Sequence, residues 1–241
     1  MLVEKLISLV TFDFWNTLFS DMDYTDSRVQ YLADVLGRRG MTRDYDKIRD
    51  VYRRAHEYAH KVWLDENHRY VPCWERLDHI LAELGVELPR RSRQSIVKRF
   101  EETVLDDPPS LVEDAREVLE ELSSEYKMGI ICDTGFTPGR VLRLVLAGAD
   151  ILGFFGCTVF SDEVGYNKPH RIMFETALKV LGRKPSEGLH IGDLLQTDVA
   201  GAKAVGMKAV WLNKERSQSV PYAPDFQIPK LTHLLDILRN L

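Results

Sequence analysis

Asp13 ends the apolar run Leu6-Ile7-Ser8-Leu9-Val10-Thr11-Phe12 and is followed, past Trp15, by the turn-prone pair Asn16-Thr17. A buried parallel strand with this ending delivers a carboxylate to its carboxyl end, where it can serve as a nucleophile or a metal ligand. Three further runs end in equally reactive groups. Cys132-Asp133-Thr134-Gly135 follows residues 128–132, Lys168-Pro169 lies beyond residues 157–160, and Gly192-Asp193, with Asp198, follows residues 189–191. Sites in open α/β sheets form where loops leave the carboxyl ends of the strands. Convergence there would bring together a carboxylate nucleophile, a hydroxyl, a cation and two more carboxylates. That set suits phosphoryl transfer, in which the protein positions the phosphoryl group and stabilises its charge.

The elements that would hold these groups are legible as alternating patterns. Besides the first strand, residues 128–132, 157–160, 189–191 and 208–212 form short apolar runs. Between them Leu111, Ala115, Val118, Leu119 and Leu122 mark one helical face, and Phe174, Ala177, Leu178 and Leu181 mark another. A third helix is predicted over 198–205, stopped by Gly206. Such alternation predicts a doubly wound parallel α/β sheet covered on both faces.

Residues 21–108 break the alternation with four successive helical patterns. These carry Val29, Leu32 and Leu36; Ile48, Val51, Tyr52, Ala55, Ala59 and Val62; Trp74, Leu77, Leu81 and Leu84; and Ile96, Phe100 and Val104. Asp106-Asp107-Pro108-Pro109 cannot continue a helix and reads as a hinge. The expected division is a core domain of residues 1–20 and 109–241 with an inserted helical domain at 21–108.

Length and composition bound the alternatives. A chain of 241 residues buries roughly 70–75% of its unfolded surface, enough for a sheltered site. A net charge of -5 with 44% apolar residues gives no electrostatic reason to expect nucleic acid. The basic clusters Arg38-Arg39 and Arg90-Arg91-Ser92-Arg93 read as solvated helix faces. Three scattered cysteines supply neither a disulfide framework nor a paired-thiolate zinc site. The N-terminal run, with Glu4 and Lys5, fits neither a signal peptide nor a membrane span, so the expectation is a cytoplasmic enzyme without a membrane partner.

Taken together and in this order, the motifs resemble those of the haloacid dehalogenase-like hydrolases. FDFWNTL carries the first motif at Asp13 and Thr17, IICDTG the second, GYNKPHRIMF the third at Lys168, and HIGDLLQTDVAGA the fourth at Asp193 and Asp198. The helical insert stands where the family's first-type cap belongs. The resemblance implies a Rossmann-like core and a Mg²⁺-dependent phosphatase that hydrolyses a small phosphorylated substrate through an aspartyl-phosphate on Asp13. It implies metal ligation by Asp13, Asp193, Asp198 and the main-chain carbonyl of Trp15, and catalytic roles for Asp13, Lys168 and Thr134. Substrate contacts fall to Trp15, Asn16, Thr17, Cys132, Asp133, Thr134, Gly135 and Lys168.

The chain departs from the family pattern twice. Cys132, a weak donor, stands where the second motif begins with Ser or Thr, so the phosphate contact is assigned to the turn from Cys132 to Thr134. Trp15 stands where family phosphatases carry an aspartate that protonates the leaving group. An indole exchanges no proton at neutral pH, which puts about 10²- to 10⁴-fold of acid/base catalysis at stake.

Other readings bear on the same residues. Alone, Asp13 is a turn or cap residue, Lys168 a surface lysine, and Asp198 a helix N-cap. Haloacid dehalogenases also lack the second aspartate, but they need no Mg²⁺ and lack the paired acids kept here as Asp193 and Asp198. A phosphonatase-like reaction would require a Schiff-base lysine in the insert, such as Lys47, Lys61 or Lys98. A catalytically weak protein that binds a phosphorylated ligand is a further alternative. The match His56-Glu57-Tyr58-Ala59-His60 has the form of a zinc-protease helix, but its apolar neighbours are accounted for by packing of the insert. Trp63 and Trp74 are expected to serve that packing too.

Overall fold

The structure, a computed structural model, describes residues 6–213 and 223–241. Its centre is a six-stranded parallel sheet in the order β3-β2-β1-β4-β5-β6. The strands are β1 (Leu9–Phe12), β2 (Lys127–Cys132), β3 (Cys157–Phe160), β4 (Gly188–Gly192), β5 (Lys208–Leu212) and β6 (Phe226–Ile228). β1 lies between β2 and β4, so successive crossovers build outward from it in both directions and the loops at its carboxyl end diverge. Such a switch point opens a crevice at the carboxyl ends of the strands, and Asp13 is the first residue past β1.

The side-chain alternation of β1 explains the layers. Val10 and Phe12 point into a core shared with helices α5 (Ala115–Ser123), α6 (Gly139–Gly148) and α10 (His233–Arg239). Leu9 points into the opposite layer, against α8 (Arg171–Leu181) and α9 (Ala200–Val205). Both faces are therefore buried, and the strands read as continuous apolar runs. A short helix, α7 (Ser161–Val164), follows β3 directly.

Between β1 and β2 stand α1 (Thr25–Gly37), α2 (Tyr45–Asp65), α3 (Cys73–Leu84) and α4 (Arg90–Glu102). Their apolar stripes close on one another in a separate core that includes Leu32, Val51, Tyr52, Leu77, Ile96 and Phe100, all buried. Gly85 ends α3 at φ +62°, the left-handed geometry glycine adopts without strain. Among the described residues no helix is long and apolar enough to cross a membrane.

Several local expectations change. Trp74 is 56% exposed, so it does not pack the insert. Leu111 precedes α5 and bridges Phe19, because the backbone N–H of Val112 is spent on the Leu18 carbonyl. The helix predicted over 198–205 is a π-helical turn, Leu195–Val199, running into α9. β6, α6 and α10 complete the fold without having been anticipated.

Candidate active site

The turn after β1 begins with the Asp13 N–H donating to the Ile191 carbonyl at 2.9 Å, which fixes Asp13 to the neighbouring strand β4. Leu18 and Phe19 N–H groups both donate to the Phe14 carbonyl, and Asn16 takes φ +56°, a conformation that Asn tolerates better than most residues. This tight turn puts the Asn16 side chain in hydrogen-bonding contact with Asp193. Trp15 is half-buried, packs on Phe14 with ring centroids 4.8 Å apart, and leans on the sheet core. The Thr17 hydroxyl is buried and has no hydrogen-bond partner among the described residues.

Lys168 is the hub of the site. Its Nζ donates to Asp13 Oδ1 at 2.5 Å and to Asp198 Oδ1 at 2.6 Å, and the side chain is 3% exposed. Donor oxygens of Asp13, Asp193 and Asp198 lie within 4.8 Å of one another. Two of these three carboxylates thus share one ammonium group. Burial pushes Asp13 well above the usual carboxylate range, against the pull of Lys168 and with the help of the other two acids. Burial and the Asp198 charge push Asp193 up to about 6. For Asp198 burial is outweighed by Lys168 and His190, which hold its carboxyl well below the usual range. For Lys168, too, burial is outweighed, here by Asp13 and Asp198, and its ammonium is held well above the usual range.

Asp198 is tied down on both oxygens. Oδ1 also meets His190 Nε2 at 3.2 Å, and Oδ2 accepts from the Leu194 N–H at 3.0 Å. The carboxylate fits there because residue 192 is glycine: a Cβ at that position would lie 2.1 Å from Asp198 Cγ. His190 is buried on β4 and its Nδ1 meets Thr11 Oγ1 at 2.9 Å, so a polar chain runs from Thr11 through His190 and Asp198 to Lys168. Sequence reasoning missed His190, because a single histidine inside an apolar run looks like a core residue.

The turn after β2 supports the hub from the other side. Asp133, which burial pushes up to about 6, accepts the main-chain N–H of Lys168 at 2.7 Å. The Thr134 hydroxyl meets Ser161 Oγ at 3.0 Å and Asp162 Oδ1 at 3.1 Å, and its N–H donates to Ser161 at 2.8 Å. These bonds lock the turn to the start of α7. The Cys132 thiol is buried, its titration raised by that burial, and its Sγ lies 3.3 Å from the Asp133 carbonyl. Gly135 offers its carbonyl to the Tyr70 hydroxyl of the insert at 3.2 Å.

The insert meets the site in a second place. Trp63 Nε1 donates to the Lys168 carbonyl at 3.0 Å, Asn167 N–H to the His68 carbonyl at 2.8 Å, and Tyr70 N–H to the Gly165 carbonyl at 3.0 Å. The other sequence candidates lie elsewhere. Glu57 is exposed and ion-paired with Arg53, and His60 is exposed and stacked on Trp63. Among the described residues the three aspartates are the one cluster of potential metal ligands, and it includes neither His56 nor His60. Lys47, Lys61 and Lys98 are all exposed on the insert.

Comparison with known proteins decides the family. A model of the haloacid dehalogenase-like hydrolases matches residues 7–206. The chain belongs to that family. It is 30% identical to a glyceraldehyde 3-phosphate phosphatase of Pyrococcus furiosus, over 98% of this chain and 95% of the relative. It is also 30% identical to the pyrophosphatase PpaX of Bacillus cereus, over 72% of this chain and 85% of the relative. In fold it superposes on a 2-haloacid dehalogenase of Pseudomonas syringae with a TM-score of 0.71, at 23% identity and with 97% and 99% of the two chains covered. The haloacid dehalogenase-like fold, a parallel α/β core with a helical cap, is thus as the motifs implied.

Proposed function

We propose that this hydrolase is a Mg²⁺-dependent phosphatase acting on a small phosphorylated substrate through an aspartyl-phosphate on Asp13. The observation that carries the reading is the contact of Lys168 Nζ with both Asp13 and Asp198 inside a cluster of three carboxylates. Burial, and a single ammonium that cannot balance three ionised acids, make Asp13 and Asp193 hold their protons more tightly than ordinary carboxyls, and a divalent cation would relieve that repulsion and favour all three carboxylates. Carboxylate oxygens are the donors a hard cation takes. Asp13, Asp193, Asp198 and the Trp15 carbonyl would hold it, and a bound Mg²⁺ supplies charge neutralisation at the phosphoryl oxygens. Exposed Lys47, Lys61 and Lys98 lack the desolvation that activates a Schiff-base lysine, and the acid cluster weighs against a metal-free dehalogenase.

In this reading the Asp13 carboxylate attacks phosphorus, the bond from phosphorus to the leaving oxygen breaks, and water then cleaves the acyl phosphate to regenerate Asp13 and release orthophosphate. Lys168 screens the approaching phosphoryl group from the carboxylate charge. Asp198 and Asp133 hold Lys168 in place, and Thr134, through Ser161 and Asp162, sets the shape of the turn whose members Cys132 to Gly135 receive the phosphoryl group. Asn16 and Thr17 contribute from the turn after β1. Trp15 leaves the departing oxygen without a protein acid, so good leaving groups are favoured. The functional division is a core of residues 1–20 and 109–241 and a cap of residues 21–108, in a cytoplasmic enzyme with no nucleic-acid or membrane partner.

A panel of p-nitrophenyl phosphate, glyceraldehyde 3-phosphate, pyrophosphate, 2-chloropropionate and phosphonoacetaldehyde, with and without Mg²⁺, tests this reading. Phosphate release that requires Mg²⁺ is expected; halide release without metal would overturn it.

A further inference from the structure

Phe136 follows directly on the turn that this reading assigns to the phosphoryl group, yet its side chain is 2% exposed within the core of the cap. It stacks on Tyr52 at 4.9 Å, and the guanidinium groups of Arg28 and Arg76 lie 5.2 and 5.4 Å from its ring centroid. Both arginines are buried, at 7% and 8% exposure. Arginine is almost never so buried unless paired with a carboxylate.

Neither is paired in that way among the described residues. Arg28 donates to the Phe100 carbonyl at 2.9 Å, the Tyr52 hydroxyl at 3.3 Å and Thr137 Oγ1 at 3.0 Å. Arg76 Nε donates to the Val71 carbonyl at 3.0 Å. These acceptors are neutral, so they satisfy donors without cancelling charge. Glu75, the acid beside Arg76 in sequence, is spent on Arg69 at 3.0 Å and on the Tyr58 hydroxyl at 2.7 Å. Cation–π contact with one ring offsets part of the cost of desolvation, but two neighbouring buried cations still repel.

We propose that Arg28 and Arg76 form an anion subsite in the cap, beside the phosphoryl turn, for a second anionic group of the substrate, either a carboxylate or a further phosphate. The subsite rests on the phosphatase reading and narrows it to compounds with two anionic groups separated by a short spacer. Arg76 is the principal ligand, because only its Nε is committed to the protein among the described residues, whereas Arg28 is anchored through all three nitrogens. The planar guanidinium fork matches both carboxylate and phosphate oxygens.

The test uses Asp13→Asn protein, which binds without turnover in this scheme, titrated calorimetrically at fixed free Mg²⁺ with ethyl phosphate, phosphoglycolate and inorganic pyrophosphate. At least one of the latter two is expected to bind about tenfold or more tightly than ethyl phosphate, and the tighter one tells carboxylate from phosphate. Adding Arg76→Met should erase the advantage, and Arg76→Lys should keep part of it. Equal affinity for all three ligands overturns the proposal without any arginine variant, as does an advantage that survives Arg76→Met. If the affinity ranking holds while wild-type protein releases no phosphate from any ester, the phosphatase reading fails and the anion subsite stands.

Discussion

The main-chain N–H of Lys168 donates to the Asp133 carboxylate at 2.7 Å, so the turn after β2 fixes the backbone that carries the buried ammonium group. The turn that would receive the phosphoryl group and the lysine that would neutralise it are therefore tied directly to each other. Asp133→Ala leaves that N–H without its acceptor, at a cost of about 1–3 kcal/mol. We expect kcat/KM on p-nitrophenyl phosphate to fall by about tenfold to a hundredfold, with Asp133→Asn, which keeps an acceptor oxygen, falling much less. Equal losses in the two variants would show that the charge of Asp133, not its acceptor, matters.

Residue 192 must be glycine for a geometric reason, since a Cβ there would lie 2.1 Å from Asp198 Cγ. Gly192→Ala should displace Asp198, release Lys168 and cost about 1–3 kcal/mol of stability through overpacking. Urea unfolding and steady-state turnover on the same preparation check this, with activity expected to fall at least a hundredfold in protein that is still folded.

Trp15→Asp restores a carboxyl group at the leaving-group position. Turnover of alkyl phosphates should rise about tenfold or more, within the general range of acid/base catalysis, while p-nitrophenyl phosphate, with its good leaving group, should gain little. A folded variant no faster on any phosphate would remove proton transfer from the account.

Mg²⁺ should stabilise the native protein by mass action, by about 2.7 kcal/mol at a concentration one hundred times Kd. Thermal denaturation with and without Mg²⁺ should show that increment in wild type and lose most of it in Asp193→Asn. Chelation of the metal should abolish phosphate release, and Mg²⁺ should restore it.

Phe136→Ala should cost about 3–5 kcal/mol, because the ring is part of the cap core. Leu64→Ala, at a position 59% exposed, should be nearly neutral. Urea unfolding of both variants separates the two positions.

Much of this was legible in the chain because β1, β2, β3, β4 and β5 are short apolar runs, and because reactive groups follow four of them: Asp13 after β1, Cys132 to Gly135 after β2, Lys168 beyond β3, and Asp193 with Asp198 after β4. The glycine stop at Gly206 marked a helix end, and its φ of +90° is the left-handed geometry such a stop requires. What escaped depends on contacts between distant segments. Nothing local distinguishes Phe136 as a cap-core residue, since its partners Arg28, Tyr52, Arg76 and Phe100 come one from each of α1 to α4. β6 is a three-residue edge strand with too little pattern to register. Trp74 shows the converse, a large apolar side chain at a helical position that the packing leaves exposed. His190 acquires its significance from Thr11 and Asp198, which only the pairing of β1 with β4 brings together.

In the proposed reaction Asp13 is the phosphoryl acceptor. Acid-quenched mixtures of enzyme, Mg²⁺ and p-nitrophenyl phosphate, digested and analysed by mass spectrometry, test it directly. A phosphoryl mass increment on Asp13 that needs Mg²⁺ and disappears in Asp13→Asn along with turnover is expected; Mg²⁺-dependent phosphate release that persists in Asp13→Asn would exclude Asp13 as the acceptor.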